Sequence, residues 1–112
     1  MLPKSHRLPG FLSPQIIKSG RGLFLPELAL YYRKSDNPSV KFIIQIPLRV
    51  NKRAVLRNRN KRLVSESIRV LMPKLKPNFD CIIKVQKDLS ENKQQDIEKL
   101  INGLLHKAGI LI

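Results

Sequence analysis

The sequence predicts an α+β fold, a two-layer sandwich in which a small four-stranded mixed sheet packs against a long basic helix, a C-terminal helix and a short N-terminal helix. Two observations predict this class. Four short apolar segments are bounded by turn-forming residues, and two longer segments repeat apolar residues at helical spacing. With 112 residues, of which 42% are hydrophobic, the chain can bury one modest core, so we expect a single domain over residues 1–112.

The amino-terminal region is expected to hold an arm followed by a short helix. Residues 1–10 predict an extended basic arm, because they combine turn-forming residues with positive charge. The residues that indicate it are Pro3, Lys4, His6, Arg7, Pro9 and Gly10. Ser13 and Pro14 then suit the cap and the first position of a helix, and Gly20 is placed to end that helix after Ser19.

Three strands are predicted in the next part of the chain. A short strand covers residues 22–25 and is broken at Pro26, and longer strands cover residues 27–33 and 40–46. Residues 34–39, between the two longer strands, are dense in turn formers. This short spacing predicts that the two longer strands form an antiparallel hairpin.

A long basic helix is predicted over residues 51–72, with Asn51 as its cap and Pro73 at its end. At about 100° per residue, its apolar and basic residues fall on opposite sides. The apolar face holds Leu56, Leu63, Val64, Val70 and Leu71, with Asn60 and Ser67 among them. The opposite face holds Arg57, Asn58, Lys61, Arg62, Ser65 and Arg69.

A fourth strand and a final helix complete the expected architecture. The strand covers residues 79–86, and Cys81 lies in its apolar centre, where core packing is expected of it. In the final helix, Ser90 is the expected cap and Gly109 the expected end. Its apolar stripe is made of Ile97, Leu100, Ile101, Leu104 and Leu105.

The charge of the chain favours a polyanionic partner. Twenty-two Lys and Arg stand against eight Asp and Glu, which gives a net charge of +14 and a pI near 10.6. RNA or DNA would offset the self-repulsion, and an anionic membrane surface is the other partner that charge alone allows. The apolar runs are too short to span a bilayer, and the amino terminus does not resemble a secretory signal. One cysteine fits a reducing interior, so we expect a cytoplasmic protein.

Residues 49–62 carry the densest charge, since seven of these fourteen residues are basic and none is acidic. Arginine suits bidentate contacts to phosphate, and Asn58 can reach a base edge or a ribose hydroxyl. A charged helix face can also be simply solvated. Here the basic face has a single acid, Glu66, so we expect the helix to bind nucleic acid.

Residues 52–63, KRAVLRNRNKRL, resemble the signature of the protein subunit of bacterial ribonuclease P. That family's pattern is a basic pair, Ala, a variable pair, Arg-Asn-Arg, an apolar residue, Lys-Arg and Leu. Weaker similarity covers nearly the whole chain. It is carried by Arg7-Leu8, by Gly20, by residues 28–31 in a strand, by residues 80–83 in the last strand, and by the closing amphipathic helix.

The resemblance implies a ribonucleoprotein endoribonuclease whose RNA subunit performs metal-assisted hydrolysis of the phosphodiester. The protein would then be a non-catalytic subunit that binds the catalytic RNA and the 5′ leader of precursor tRNA. The resemblance implies no cofactor in the protein, Mg²⁺ on the RNA subunit, and neither a membrane nor a small-molecule substrate as partner. It also implies a left-handed βαβ crossover through the long helix, against the general rule.

Carried onto this sequence, the resemblance assigns two sets of residues. The RNA-binding set is Arg7, Arg49, Lys52, Arg53, Arg57, Asn58, Arg59, Lys61 and Arg62. The set for a leader-binding cleft, between the sheet and the first helix, is Phe11, Ile17 and Tyr31. Two departures are notable: Ser13 and Ile17 stand where the family has aromatic residues, and Asn60 replaces an apolar residue, which should weaken the seat of the helix on the sheet.

Other functions are kept as alternatives. A ribosomal-type or other RNA-scaffold protein would explain the charge, as would a nonspecific DNA binder, and a small protein-only nuclease is a third possibility. No acidic cluster suits magnesium, so we expect no catalytic residue in the protein. His6, His106 and Cys81 lack the spacing of metal ligands, so no metal site is expected.

Overall fold

The computed structural model describes residues 2–112, so that Met1, part of the predicted arm, lies outside the described residues. Its α-helices and strands are α1 (Ser13–Ser19), β1 (Arg21–Phe24), β2 (Leu28–Lys34), β3 (Lys41–Gln45), α2 (Ala54–Leu71), β4 (Phe79–Val85) and α3 (Gln94–Ala108). A 3-10 turn over Gly10–Leu12 runs into α1, and two further turns, Leu48–Val50 and Met72–Lys74, flank α2. In this part of the chain, no helix is long and apolar enough to cross a bilayer.

The four strands form one mixed sheet in the order β1-β2-β4-β3. β1 pairs with β2 and β2 with β4 in antiparallel fashion, whereas β3 and β4 are parallel. The predicted hairpin between β2 and β3 is therefore wrong. β4 occupies the edge of β2 along its whole length, from Leu28 opposite Val85 to Lys34 opposite Phe79, and β3 pairs with the other edge of β4. The parallel pair is connected through α2, and the handedness of this crossover stays a prediction.

The sheet is covered on both faces. On one face, α2 and α3 enclose the main core, to which Leu28, Leu30 and Ile83 contribute. On the other face, Ile16 of α1 forms a smaller cluster with Ile43 of β3 and Ile82 of β4. The expected α+β sandwich is confirmed, and α1 adds a short helix on the side away from the main core.

Gly20 allows α1 to lie close to the sheet. A Cβ atom on this residue would collide with the carbonyl oxygens of Tyr32 and Ile16. The backbone N–H of Gly20 donates to the carbonyl oxygen of Ile16 at 2.9 Å, so the helix ends where it was predicted to end. A side chain here would push α1 away from β2.

Three predicted helix caps are wrong. Ser13 lies inside the helical path that begins with the 3-10 turn, and its buried Oγ has no hydrogen-bond partner among residues 2–112. The last helix begins at Gln94, so Ser90 belongs to the preceding loop. The side chain of Asn51 accepts from the N–H of Arg53 at 2.9 Å, before the helix begins at Ala54. By contrast, Gly109 ends α3 with a left-handed φ of 76°, as expected.

The amino-terminal arm lies along the outer edge of β3. Leu8 donates its N–H to the carbonyl oxygen of Phe42 at 3.0 Å, and Nδ1 of His6 hydrogen-bonds the carbonyl oxygen of Val40 at 2.8 Å. Leu2 is 4% exposed and reaches the main core. The arm therefore covers an edge that would otherwise present unpaired backbone groups, and it holds Arg7 beside the sheet.

Candidate nucleic-acid interface

Helix α2 presents its basic residues to solvent because its other face is anchored in the core. Val64 and Ile68 are fully buried and Leu71 nearly so. We call the basic surface formed by the first half of α2 and the two residues before it the basic ridge. Its members are Lys52, Arg53, Arg57, Asn58, Arg59, Lys61 and Arg62, of which Arg57 alone is half-buried. Arg49 is also exposed, in the 3-10 turn that precedes α2. The first two members of the basic ridge, Lys52 and Arg53, directly precede α2.

Two arginines of the basic ridge are held by backbone carbonyls. Nη1 of Arg57 donates to the carbonyl oxygens of Asn51 and Lys52, at 2.9 and 2.8 Å. Nε of Arg59 donates to the carbonyl oxygen of Ser90 at 2.6 Å. Each guanidinium has five N–H donors, so both keep donors for a ligand while their orientation is restricted.

The remaining cations of the basic ridge are not neutralised from within the protein. Across residues 2–112, the side chains of Arg53, Lys61 and Arg62 make neither hydrogen bonds nor ion pairs. The nearby acid Glu66 pairs with Arg69 at 2.7 Å, and this hydrogen bond lowers the pKa of the Glu66 carboxyl. The ridge consequently projects a positive field into solvent, as a phosphate-binding surface requires.

Asn60, which was expected to weaken the seat of α2, links the helix to the loop that follows β4 through a buried side-chain amide whose hydrogen bonds are satisfied. The residue is fully buried, and its Nδ2 donates to the carbonyl oxygen of Leu56 at 2.8 Å and to Oδ1 of Asp88 at 2.9 Å. Its Oδ1 accepts from the N–H of Leu89 at 2.6 Å. A buried amide with its hydrogen bonds satisfied can stabilise the packing around it.

Arg7 of the amino-terminal arm joins the basic ridge. A cavity of about 210 Å³ is lined by Arg7 and Leu8 from the arm, Phe42 from β3, and Lys61 and Ser65 from α2. Because the arm is held on the edge of β3, Arg7 and Lys61 border the same depression. Ser65, predicted on the exposed basic face, is buried there, and its Oγ donates to the carbonyl oxygen of Lys61 at 2.7 Å.

The predicted cleft residues all lie on the α1 side of the sheet or next to it. Tyr31 is half-buried and packs against the cluster of Ile16, Ile43 and Ile82. Ile17 is 42% exposed on α1, and Phe11 is 78% exposed in the preceding 3-10 turn. The structure thus brings Tyr31 to α1 through Ile16 and leaves Phe11 and Ile17 available at the surface.

Sequence reasoning missed Phe24. The ring of Phe24 contacts that of Tyr31 edge-to-face, with 5.6 Å between centroids and an interplanar angle of 81°. The signal was present in β1, where Gly22 and Phe24 alternate onto one face and Gly22 pairs with Tyr31. The alternation in β1 could not by itself show that Phe24 lies next to Tyr31, because this also requires the register of β1 against β2.

A wide hollow lies at the opposite end of the sheet from the start of α2. It has a volume of about 1370 Å³, and both signs of charge line it: Arg21, Arg33, Lys34 and Lys76 with Asp36 and Asp80. Arg33 and Asp80 form an ion pair at 3.4 Å. This mixed lining suits a polyanion less well than the basic ridge does.

Within residues 2–112, no three His, Cys, Asp or Glu residues are grouped so as to hold a metal ion. Cys81 is fully buried, and burial, with a smaller contribution from the Asp80 charge, raises the pKa of its thiol. A buried thiol with a raised pKa is a poor nucleophile.

Comparisons with known proteins agree on one family. A family model described as Ribonuclease P matches residues 3–109. The ribonuclease P protein component of Synechococcus elongatus is 36% identical to this chain, over 98% of the chain and 95% of that protein. That of Oceanobacillus iheyensis is 32% identical, over 84% of this chain and 78% of that protein. The ribonuclease P protein component of Rippkaea orientalis is 38% identical, over 70% of this chain and 62% of that protein.

Solved structures of the same kind share the fold. The RNase P protein of Staphylococcus aureus superimposes with a TM-score of 0.82 at 20% identity, over 97% of this chain and 100% of that one. The RNase P protein of Thermotoga maritima gives a TM-score of 0.75 at 27% identity, over 90% and 96% of the two chains. A family match across nearly all of the sequence, relatives above 30% identity and a shared fold establish that this chain belongs to the ribonuclease P protein family.

Proposed function

We propose that this chain is the non-catalytic subunit of a ribonuclease P whose RNA subunit cleaves precursor tRNA at the 5′ leader. Membership in the family implies an RNA partner. The proposal assigns the basic ridge and Arg7 to the catalytic RNA, and the α1 side of the sheet, with Tyr31, to the leader. The cytoplasmic location expected from the sequence is part of the same proposal, supported by the single, unpaired Cys81.

The observation that carries the proposal is the basic ridge, with Arg53, Lys61 and Arg62 unneutralised by the rest of the described chain. Docking such a surface on RNA releases condensed cations, which favours association at physiological salt. Arg57 and Arg59 are already oriented by backbone carbonyls, so less side-chain entropy is lost on binding. A rigid helix with oriented arginines fits the backbone of a folded RNA.

The acids of the protein support an RNA-borne reaction. Asp80 is engaged by Arg33 and Asn37, and Asp88 by Asn51 and Asn60. In the described chain, neither acid belongs to a group of three or more His, Cys, Asp or Glu residues that could hold a metal ion. In this proposal the Mg²⁺ that assists hydrolysis is bound by the RNA subunit, and the protein contributes charge and substrate contacts.

Reconstitution tests the proposal. The purified full chain, freed of nucleic acid, is combined with a cognate catalytic RNA and precursor tRNA, and the Mg²⁺ concentration that supports cleavage is measured with and without protein. Cleavage at lower Mg²⁺ with protein, and none by protein alone, is the expected result. Cleavage by the protein alone would assign the chemistry to the polypeptide. An unchanged Mg²⁺ requirement would favour an RNA-scaffold protein instead.

A further inference from the structure

One carboxylate lies at the centre of the contacts that hold the basic ridge. Asp88 belongs to the loop of residues 86–93, between β4 and α3. Its Oδ1 accepts from Nδ2 of Asn60 and from the backbone N–H of Ser90, both at 2.9 Å, and its Oδ2 accepts from Nδ2 of Asn51 at 2.8 Å. All three donors are neutral amides. Within residues 2–112 Asp88 forms no ion pair, although two of its partners belong to the most basic part of the chain.

The backbone that Asp88 holds in turn holds two arginines of the basic ridge. Nη1 of Arg57 donates to the carbonyl oxygen of Asn51 at 2.9 Å. Nε of Arg59 donates to the carbonyl oxygen of Ser90 at 2.6 Å. Asn51 and Ser90 come from different loops, and the side chain of Asp88 joins them. A single carboxylate therefore fixes two of the carbonyl oxygens that set the directions of these guanidinium groups.

Asn60 completes the arrangement from within α2. Its buried amide donates to Asp88, and its Oδ1 accepts from the N–H of Leu89 at 2.6 Å. Leu89 is 1% exposed and packs in the main core. The loop is thus attached to the same helix that carries the arginines, so that the accepting carbonyls and the guanidinium groups belong to one connected unit.

The charge of Asp88 and its hydrogen bonds should affect RNA binding in opposite directions. A carboxylate beside a phosphate-binding surface repels RNA, so charge alone predicts that its removal tightens binding. Loss of its hydrogen bonds would instead free Arg57 and Arg59, and ordering each long side chain again on binding costs about two- to tenfold in affinity. Repulsion from one exposed charge is screened within about 8 Å at physiological salt. We therefore expect the loss of orientation to outweigh the loss of repulsion.

We propose that Asp88 is a positioning residue for RNA binding, which acts through Asn51 and Ser90 to orient the guanidinium groups of Arg57 and Arg59 towards phosphates of the catalytic RNA. The proposal deepens the proposed function and rests on it. Guanidinium groups that are already oriented can make bidentate phosphate contacts with a smaller loss of entropy.

The test measures the affinity of the purified full chain for its cognate catalytic RNA at matched salt. Asp88→Asn removes the charge and puts an amide nitrogen in place of one accepting oxygen, so it should weaken binding by about threefold or more. Glu91→Gln removes the same charge from an exposed position of the same loop. This control should bind as tightly as wild type or slightly more tightly, as expected from charge alone.

Further variants separate positioning from stability. In a chain that combines Arg57→Ala with Arg59→Ala, Asp88→Asn should cause no further loss of affinity, because the groups it orients are absent. Ile68→Val trims a fully buried side chain of the same helix, so it lowers stability without altering these contacts and should retain wild-type affinity. Asn51→Ala removes one donor to Asp88 and should reproduce part of the Asp88→Asn loss.

Three results would overturn the positioning role. Binding by Asp88→Asn that equals or exceeds wild type overturns it and leaves the proposed function standing. A loss that persists undiminished when Arg57 and Arg59 are both alanine also overturns it, since Asp88 then acts through the fold and not through the arginines. If alanine at both arginines leaves the affinity for the catalytic RNA unchanged, the basic ridge is not the RNA contact, and its assignment under the proposed function fails together with this inference.

Discussion

The side-chain amide of Asn60 donates a hydrogen bond of 2.9 Å to Oδ1 of Asp88, which joins the first half of α2 to the loop that follows β4. The same carboxylate accepts from Nδ2 of Asn51 at 2.8 Å and from the N–H of Ser90 at 2.9 Å. The carbonyl oxygen of Ser90, in turn, accepts from Arg59. This network therefore fixes the start of the basic ridge against the loop that follows β4, so that an internal polar contact restricts how Arg59 is presented at the surface.

Replacing Asn60 should destabilise the protein. In Asn60→Leu, the N–H of Leu89 loses its acceptor, and the Asp88 carboxylate loses a donor. Leaving a buried donor unsatisfied costs about 1–3 kcal/mol, so we expect the free energy of unfolding in urea to fall by about 2 kcal/mol. Asn58→Ala, at an exposed position of the same helix, should change it by less than about 0.5 kcal/mol. Equal stability of Asn60→Leu and wild type would show that the hydrogen bonds of Asn60 contribute no more to stability than a buried leucine side chain does.

Asp88 should make the fold sensitive to acid. Hydrogen bonds from the Asn60 amide first, then from the Ser90 N–H and the Asn51 amide, hold the pKa of its carboxyl well below its ordinary value. An aspartate in the unfolded chain has a pKa of about 3.9, so the stabilisation from the Asp88 carboxylate is fully present above about pH 4. It is lost as the pH falls from there towards the lower pKa of the folded state.

Asp88→Asn tests this acid dependence through urea midpoints measured across pH. The variant should be less stable than wild type near neutral pH, and the difference should shrink below about pH 4. Asp36→Asn, at an exposed position away from the network, should follow the wild-type profile. If the loss in stability of Asp88→Asn stays constant as the pH falls below about 4, the charge of the Asp88 carboxylate is not what the hydrogen bonds stabilise.

Local periodicity was sufficient to predict the elements of the fold, but it could not predict how they pair. The apolar stripe of α3 is buried as expected, including Ile97, Ile101 and Leu105. The partner of β2 could not be predicted in this way, because β4 lies about fifty residues away in sequence and competes with the nearby β3 for the same edge of β2. Short turns favour hairpins, but the burial of both faces of β4 places it in the centre of the sheet.

In the candidate site, too, local sequence predicted some features, whereas features that depend on distant residues could not be predicted. The charged sequence of α2 was enough to predict the basic ridge, since exposure follows from the apolar face beneath it. The role of Asn60 could not be predicted, because its partners, Asp88 and Leu89, come from a distant loop. On the apolar face, Val70 was predicted to be buried but is 51% exposed, and Ile68, which was not predicted, is fully buried in its place.

Two glycines should respond in opposite directions to alanine. Gly20→Ala places a Cβ against the carbonyl oxygens of Tyr32 and Ile16, so the backbone must shift, and we expect a loss of about 1–3 kcal/mol in the free energy of unfolding. Gly103 lies within α3 with no atom in reach of an added Cβ, so Gly103→Ala should stabilise the protein by about 0.5–1 kcal/mol. Thermal melts of both variants check this, and a stabilised Gly20→Ala would contradict the close approach of α1 to β2.

Neutralising the basic ridge should weaken RNA binding without unfolding the protein. Lys61 and Arg62 are exposed, and their side chains make no hydrogen bond or ion pair with residues 2–112, so Lys61→Ala with Arg62→Ala should keep wild-type stability. If both contact phosphates, the slope of log affinity for the catalytic RNA against log salt should flatten by about 1.5. Lys99→Ala with Lys107→Ala removes the same charge from exposed positions of α3 and should leave the slope nearly unchanged. Equal flattening by both pairs would show that net charge alone drives binding, and no flattening by either would place the RNA elsewhere on the protein.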